Sequence, residues 1–146
     1  MRVTMLLCDY CEAVNGKLYI MGGGWSVTGP TASPFGIAMQ IQVPWDRANE
    51  QHTFRLELVD ADGSPALVGE QPLVADGQFE VGRPPGMKPG TPLDFPVAFN
   101  FPPLQLPPGA RYEWRLTVDG ESHDDWRLTF SVRPAPGGPA GAAPDR

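Results

Sequence analysis

The chain has few of the residues on which several functional classes depend. Its 11 lysines and arginines are outnumbered by 17 aspartates and glutamates, which gives a formal net charge of -6. Binding to nucleic acids or to anionic membranes needs a basic surface, so we expect neither as a partner. The 146 residues include 2 cysteines and 2 histidines, which leaves few candidate ligands for a metal or redox site.

The sequence also lacks a long hydrophobic run. No stretch reaches the ~18 consecutive apolar residues of a membrane-spanning helix. The apolar run at the N-terminus is interrupted by Thr4 and meets Asp9 before the core of a signal peptide forms. We therefore expect a soluble, cytoplasmic protein. Lys17 and Lys88 are the only lysines, and this preference for arginine, with many alanines, glycines and prolines, is typical of a GC-rich bacterial genome.

What the sequence does contain is a repeated alternation of apolar and polar residues, broken at short intervals by glycine, proline or Asp-Gly turns. Alternation with a period of two is typical of strands that bury one face. The pattern predicts about eight strands, at residues 3–8, 17–21, 37–43, 54–58, 67–74, 95–101, 112–118 and 126–132. Short strands at this spacing indicate an all-β fold, a two-layer antiparallel β-sandwich.

The predicted sandwich domain covers residues 1–133. The segment 134–146 contains only Pro, Ala, Gly, Asp and Arg, which is too little apolar surface to pack, so we predict a disordered tail. Residues 106–112 resemble the start of the penultimate strand of immunoglobulin-like sandwiches, where a tyrosine follows a Pro-Gly corner. Because the cysteine pair that joins the two sheets of immunoglobulin domains is absent, we expect an immunoglobulin-like architecture rather than a true immunoglobulin domain.

The two cysteines form a C-x-x-C motif, Cys8 and Cys11. Redox motifs of this kind lie where a strand leads into a helix, and here the strand leads into a turn. A zinc site needs two further ligands. Counting loops along an antiparallel sandwich assigns residues 9–16, 44–51, 76–93 and 119–122 to one end. The sequence therefore leaves open a metal- or small-ligand-binding sensor at this end, formed by Cys8, Cys11, His52 and His123.

Acidic residues are also concentrated in the loops assigned to that end, an arrangement that chelates Ca²⁺ in some sandwiches. The set is Asp9, Glu12, Asp46, Glu50, Asp76, Asp119, Glu121, Asp124 and Asp125. Solvated turns explain most of it, because aspartate favours turn positions. We therefore predict no resident metal and no cofactor.

No arrangement typical of an active site is present. The Ser-His-Asp at residues 122–124 is contiguous, whereas the members of a catalytic triad come from distant segments. The glycines at 22–24 are followed by neither Lys-Ser/Thr nor a helix, so they indicate a β-bulge or kink rather than a phosphate-binding loop. Trp114 and Trp126 alternate in phase with core positions, which indicates buried residues rather than a sugar-binding platform. We predict no catalytic residue and no enzyme activity.

Two sequence blocks, LYIMGGGWS at residues 18–26 and VPWDRAN at residues 43–49, resemble a family of small bacterial proteins of unknown function. The resemblance covers most of residues 2–133. It implies a compact cytoplasmic β-sandwich, and no ligand, cofactor or catalytic residue carries over from it.

These observations favour a non-catalytic β-sandwich that binds another protein, or a second copy of itself, through an exposed sheet face or edge. The outward positions of the first hairpin are apolar enough to form a covered surface; they are Thr4, Leu6, Tyr19 and Met21. A large apolar patch there would favour this hypothesis over the ligand sensor.

Overall fold

The alternating segments pair into strands over most of the chain. The computed structural model describes residues 1–136, and residues 137–146 of the predicted tail lie outside the described residues. The strands are β1 Arg2–Cys8, β2 Tyr10–Val14, β3 Lys17–Met21, β4 Val27–Thr28, β5 Phe35–Val43, β6 His52–Asp60, β7 Leu67–Val68, β8 Gln71–Pro72, β9 Val74–Phe79, β10 Leu93–Phe101, β11 Arg111–Val118 and β12 Arg127–Val132. One turn of 3-10 helix, Trp45–Arg47, follows β5.

Two sheets form the sandwich that the alternation predicts. The first sheet has the order β1-β5-β10, and the second has the order β4-β12-β11-β6-β9. Neighbouring strands are antiparallel except for β4 and β12, which pair in parallel over two residues. β1, β5 and β10 thus form one layer of the sandwich, and β6, β11 and β12 lie in the other.

The core lies between the two sheets, where alternate residues of the central strands meet. These residues are Ile37, Met39, Ile41 and Val43 of β5, and Tyr112, Trp114, Leu116 and Val118 of β11. Trp114 is fully buried and Trp126 is 2% exposed, which confirms their prediction as core residues. Each buried Ile, Leu or Val side chain contributes roughly 1.5–3 kcal/mol to stability, so this interior accounts for much of the folding free energy.

The segment after β6 differs from the prediction of one strand over residues 67–74 followed by a loop. The chain reverses at Gly69, which has a φ of 69°, so β7 and β8 form a small separate hairpin. β9 then begins at Val74 and pairs with β6 along the edge of the second sheet. Apolar and polar residues alternate too weakly in residues 74–79 to predict a strand there, although Phe79 at its end is buried in the core.

A second hairpin lies outside the sandwich and was predicted only in part. The sequence predicts a loop over residues 9–16, but residues 10–14 form β2 and pair with β3. The tight turn predicted at Asn15 and Gly16 is present, and both residues have a positive φ, 51° and 75°. This combination is typical of the type I′ turn that joins the strands of a two-residue hairpin.

The β2–β3 hairpin packs on the outer face of the first sheet. Gly36 and Ala38 of β5 and Ala98 of β10 present little bulk there, so the hairpin approaches closely. A Cβ atom on Gly36 would lie 2.8 Å from Asn100 Oδ1 and 3.1 Å from Cys11 Sγ. Hairpin and sheet enclose a second, small core of Leu6, Cys8, Cys11, Leu18, Ala38 and Ala98, separate from the main core.

Candidate functional site

The outer face of the β2–β3 hairpin carries exposed apolar side chains. Strand alternation places Tyr10, Val14, Tyr19 and Met21 on this face, and their exposed fractions are 44, 43, 54 and 66%. We call these four residues the hairpin face. Of the positions that the sequence predicted as outward, Tyr19 and Met21 belong to it. Thr4 lies on β1 and is exposed, whereas Leu6 of β1 is half-buried beneath the hairpin.

The hairpin is anchored to the sandwich by a side chain that the sequence analysis missed. Asn100 of β10 accepts a hydrogen bond from the Cys11 N–H at 3.2 Å and donates one to the Cys11 carbonyl at 2.8 Å. Its amide therefore occupies the place that a neighbouring strand would take beside β2. The sequence offered one signal for this role. Asn100 is an isolated amide between Phe99 and Phe101, in an otherwise apolar part of β10.

The four candidate metal ligands, Cys8, Cys11, His52 and His123, do not converge within the described residues, so the sensor site that the sequence left open is not formed by them. Cys8 pairs with Gly36, at the end of the sandwich where β5 begins. His52 pairs with Phe79, whose ring stacks on Phe95 near the opposite end of β5. At about 3.3 Å per residue, the length of β5 separates the two locations by about 20 Å.

The loop count that placed these residues at one end was wrong because it treated residues 17–21 as a strand that crosses the sandwich. The β2–β3 hairpin instead leaves and returns at one end, so the cysteines lie opposite to the end that the loop count assigned to them. Asp9 and Glu12 lie at the same end as the cysteines, away from the other acidic residues that the loop count grouped with them. Within residues 1–136, no three His, Cys, Asp or Glu side chains form a group with metal-binding geometry.

The cysteine pair has a structural environment. Cys8 and Cys11 are both fully buried and are not joined by a disulfide. Burial, reinforced by a hydrogen bond between the two side chains, raises the pKa of Cys8 to about 12. A nucleophilic or metal-binding cysteine needs the thiolate form, which this environment disfavours. Cys8 is therefore held as an unreactive thiol.

His52 is the one fully buried polar side chain among the described residues, and both of its ring nitrogens are engaged. Nδ1 lies 2.7 Å from Asp119 Oδ2, and Nε2 lies 3.0 Å from the Arg47 carbonyl. A carboxylate and a carbonyl only accept hydrogen bonds, so each nitrogen that carries a proton has an acceptor in place. The contacts join β6 to the 3-10 turn and to the end of β11, and they leave no nitrogen of His52 for catalysis.

Asp119 is the shared hydrogen-bond partner of Arg47, His52 and Thr53, and we call these four residues the clasp. Its Oδ1 accepts a hydrogen bond from the Thr53 N–H at 2.9 Å, and its Oδ2 accepts one from Arg47 Nη2 at 3.0 Å. Partial burial acts to raise the pKa of Asp119, but the bonds from Thr53 and His52 and the charge of Arg47 outweigh it, and the pKa is lowered. The carboxylate is therefore ionised at neutral pH.

His123 is separate from the clasp. It lies in the exposed loop between β11 and β12, and its ring packs edge-on against Trp126 with centroids 4.3 Å apart. Asp124 beside it is fully exposed and lies 3.7 Å from Arg127. The Ser-His-Asp sequence at 122–124 thus forms part of a turn that covers Trp126.

These features define an all-β sandwich with a hairpin added to the outer face of one sheet. Residues 3–132 match the model of DUF6941, a family of unknown function, and the chain belongs to that family. No curated protein matches the chain. Among solved structures, it is similar to the sensor domain of the anti-sigma factor RsgI4 of Pseudobacteroides cellulosolvens. The identity is 14% and the TM-score is 0.38, over 94% of this chain and 95% of that one. Residues 1–136 contain no helix of the length and hydrophobicity that crossing a membrane requires.

Proposed function

We propose that this chain is a non-catalytic, cytoplasmic protein-interaction module and that the β2–β3 hairpin is its binding element. The observation that carries the proposal is the hairpin face. The large hydrophobic side chains exposed in the described residues are Tyr10, Val14, Tyr19, Ile20, Met21, Val27 and Leu67, and all but the last two lie on this hairpin. Apolar side chains gathered on one exposed face are typical of a surface that a partner covers.

The state of the reactive side chains supports a non-catalytic role. Both ring nitrogens of His52 lie within hydrogen-bond distance of structural partners, and Cys8 is buried as a thiol whose pKa is raised. The two adjacent thiols are unpaired, which suits a reducing compartment and supports the cytoplasmic assignment.

The composition of the hairpin face suits a protein partner. Two tyrosines and a methionine give it a large apolar area, and these residue types are enriched at protein interfaces. Tyr10 donates a hydrogen bond to Glu12 Oε2 at 2.7 Å, which favours one orientation of its ring. The face is thus both apolar and partly preorganised.

The proposal is tested by affinity capture of the tagged chain from its own host cells, with two matched variants. Tyr19→Glu places a charge in the hairpin face, and Leu67→Glu places the same charge on an equally exposed residue of the β7–β8 hairpin. We expect a stoichiometric partner, or a second copy of the chain, that binds the wild type and Leu67→Glu but not Tyr19→Glu. Equal capture by both variants, or no specific partner at near-native expression, would contradict the proposal.

A further inference from the structure

The outer edge of β3 has unpaired backbone groups. The two-residue turn makes Val14 and Lys17 a hydrogen-bonded pair, so the ladder to β2 uses residues 17, 19 and 21 of β3. Leu18 and Ile20 therefore direct their N–H and C=O groups away from β2. Within the described chain, no hydrogen bond to another strand, turn or side chain engages these groups.

The opposite edge of the hairpin provides an independent check of this pattern. The alternation predicts that Cys11 of β2 also directs its backbone groups outward, and both are bound by the Asn100 amide. One edge of the hairpin is thus satisfied by a side chain of the sandwich, and the equivalent edge of β3 is open. Open strand edges pair readily with another extended chain.

A groove lies between this open edge and the outer face of the first sheet, with a volume of about 400 Å³. Leu18 and Ile20 form the wall on the hairpin side, and Leu6, Ala38 and Pro96 belong to the sheet side. The groove is lined mainly by apolar groups, and Lys17 at the tip of the hairpin is the charged side chain along it. No carboxylate lies within 4.0 Å of the Lys17 amine in the described part of the chain.

We propose that this groove binds an extended peptide segment of a partner protein, which adds to β3 as a third strand of the hairpin sheet. The unpaired N–H and C=O groups of Leu18 and Ile20 select a strand, because only extended backbone matches their spacing. The apolar lining selects apolar side chains at alternate positions, and Lys17 selects a carboxylate at the end of the segment near the hairpin tip. This inference rests on the proposed interaction function and names the chemistry of the partner.

The test uses peptides selected from a phage-displayed random dodecamer library against the full chain, with affinities measured by fluorescence anisotropy. Ile20→Pro removes the outward N–H and leaves the ladder to β2 intact, while Ile20→Ala removes a similar part of the side chain and keeps the N–H. We expect Ile20→Pro to weaken peptide binding about tenfold more than Ile20→Ala, since one lost hydrogen bond corresponds to about that factor. Lys17→Ala is expected to weaken only the peptides that carry an acidic residue.

A second measurement keeps the test valid if Ile20→Pro disturbs the hairpin. The selected peptides are resynthesised with single N-methyl groups along the backbone. Strand addition predicts that methylation abolishes binding at alternate amides, those that face β3, and is tolerated at the amides between them. Equal sensitivity at all amides would overturn the strand assignment.

Other outcomes separate this inference from the proposed function. Equal peptide affinities of Ile20→Pro and Ile20→Ala, or a library that yields no saturable binder, would overturn strand addition. A cellular partner that is lost with Tyr19→Glu but retained with Ile20→Pro would leave the interaction function in place and reject the groove. Self-association that Ile20→Pro abolishes would overturn the assignment as well, because the occupant would then be a second copy of the chain.

Discussion

Removing the Asp119 side chain is the sharpest test of whether the clasp stabilises the sandwich, because this carboxylate joins the 3-10 turn and the start of β6 to the end of β11. Asp119 has a φ of 51°, a conformation that glycine and asparagine adopt more readily than other residues. Asp119→Gly therefore deletes the side chain without backbone strain. Asp119→Asn keeps an acceptor for the Thr53 N–H and removes only the charge.

The expected loss follows from the contacts that disappear. In Asp119→Gly, the Thr53 N–H and the buried Nδ1–H of His52 each lose a partner, and an unsatisfied donor costs about 1–3 kcal/mol. The Arg47 pair is more exposed, with Arg47 at 39% and Asp119 at 23%, so it contributes at most about 1 kcal/mol. Because water reaches part of this site, we expect a total loss of about 2–4 kcal/mol for Asp119→Gly, and about 1–2 kcal/mol for Asp119→Asn.

The assay is urea unfolding followed by tryptophan fluorescence at neutral and at acidic pH. With a urea m-value of about 1–3 kcal/mol/M, Asp119→Gly is expected to lower the midpoint by about 1–3 M. The pKa of Asp119 is lowered in the folded protein, so its stabilisation is present above about pH 4 and is lost as the pH falls further. The difference between wild type and Asp119→Asn should therefore narrow at about pH 3.

The control is Asp124→Asn, which removes the same charge from a fully exposed side chain nearby and should leave the urea midpoint unchanged. If Asp119→Gly lies as close to the wild type as this control, the clasp is not a stabilising element. A difference between wild type and Asp119→Asn that is the same at both pH values would refute the assignment of the stabilisation to the ionised carboxylate.

Three further predictions concern the hairpin and its small core. Gly36→Ala should lower the free energy of unfolding by about 1–3 kcal/mol, because the added Cβ would lie 2.8 Å from Asn100 Oδ1. Unchanged urea unfolding would mean that the hairpin does not pack against Gly36. Asn100→Ala removes the two hydrogen bonds to Cys11, so amide exchange should become about tenfold faster in residues 10–21 but not in β11. Hydrogen exchange followed by mass spectrometry measures this, and faster exchange in both segments would show that the hairpin does not open separately. Burial raises the pKa of Cys8 to about 12, so Cys8 should resist iodoacetamide in the folded protein at about pH 8 and react in concentrated urea. Rapid alkylation of the folded protein would contradict the burial of Cys8 beneath the hairpin.

The sandwich itself was predictable because its strands bury one face and expose the other. The alternation in β5, β10, β11 and β12 marks the core positions directly, and Trp114 and Leu116 are buried where the pattern places them. The Asn-Gly turn of the hairpin was predictable for a different reason, since few residues other than asparagine and glycine accept a positive φ at adjacent positions.

The location of the hairpin was not predictable from the same pattern. Strands that pack on the outside of a sheet carry nearly the same residues as strands that complete a layer, and β2 with its exposed Tyr10 and Val14 has little alternation of burial. The error in placing Cys8 and Cys11 follows from this. When the hairpin is counted as a strand that crosses the sandwich, every residue before β5 is assigned to the wrong end. The local strand signal carries no information about that choice, which depends on small outward residues such as Gly36 and Ala38.

The separate small core under the hairpin divides the protein into two units that tolerate substitution differently. The hairpin is held by a few side chains and by the Asn100 amide, and the side chains of the hairpin face belong to neither core. Changes at Tyr19 or Met21 therefore alter this exposed surface without removing a contact on which the sandwich depends. Under the proposed interaction function, recognition and folding are encoded in different residues of one chain, so the binding surface can change while the scaffold is kept.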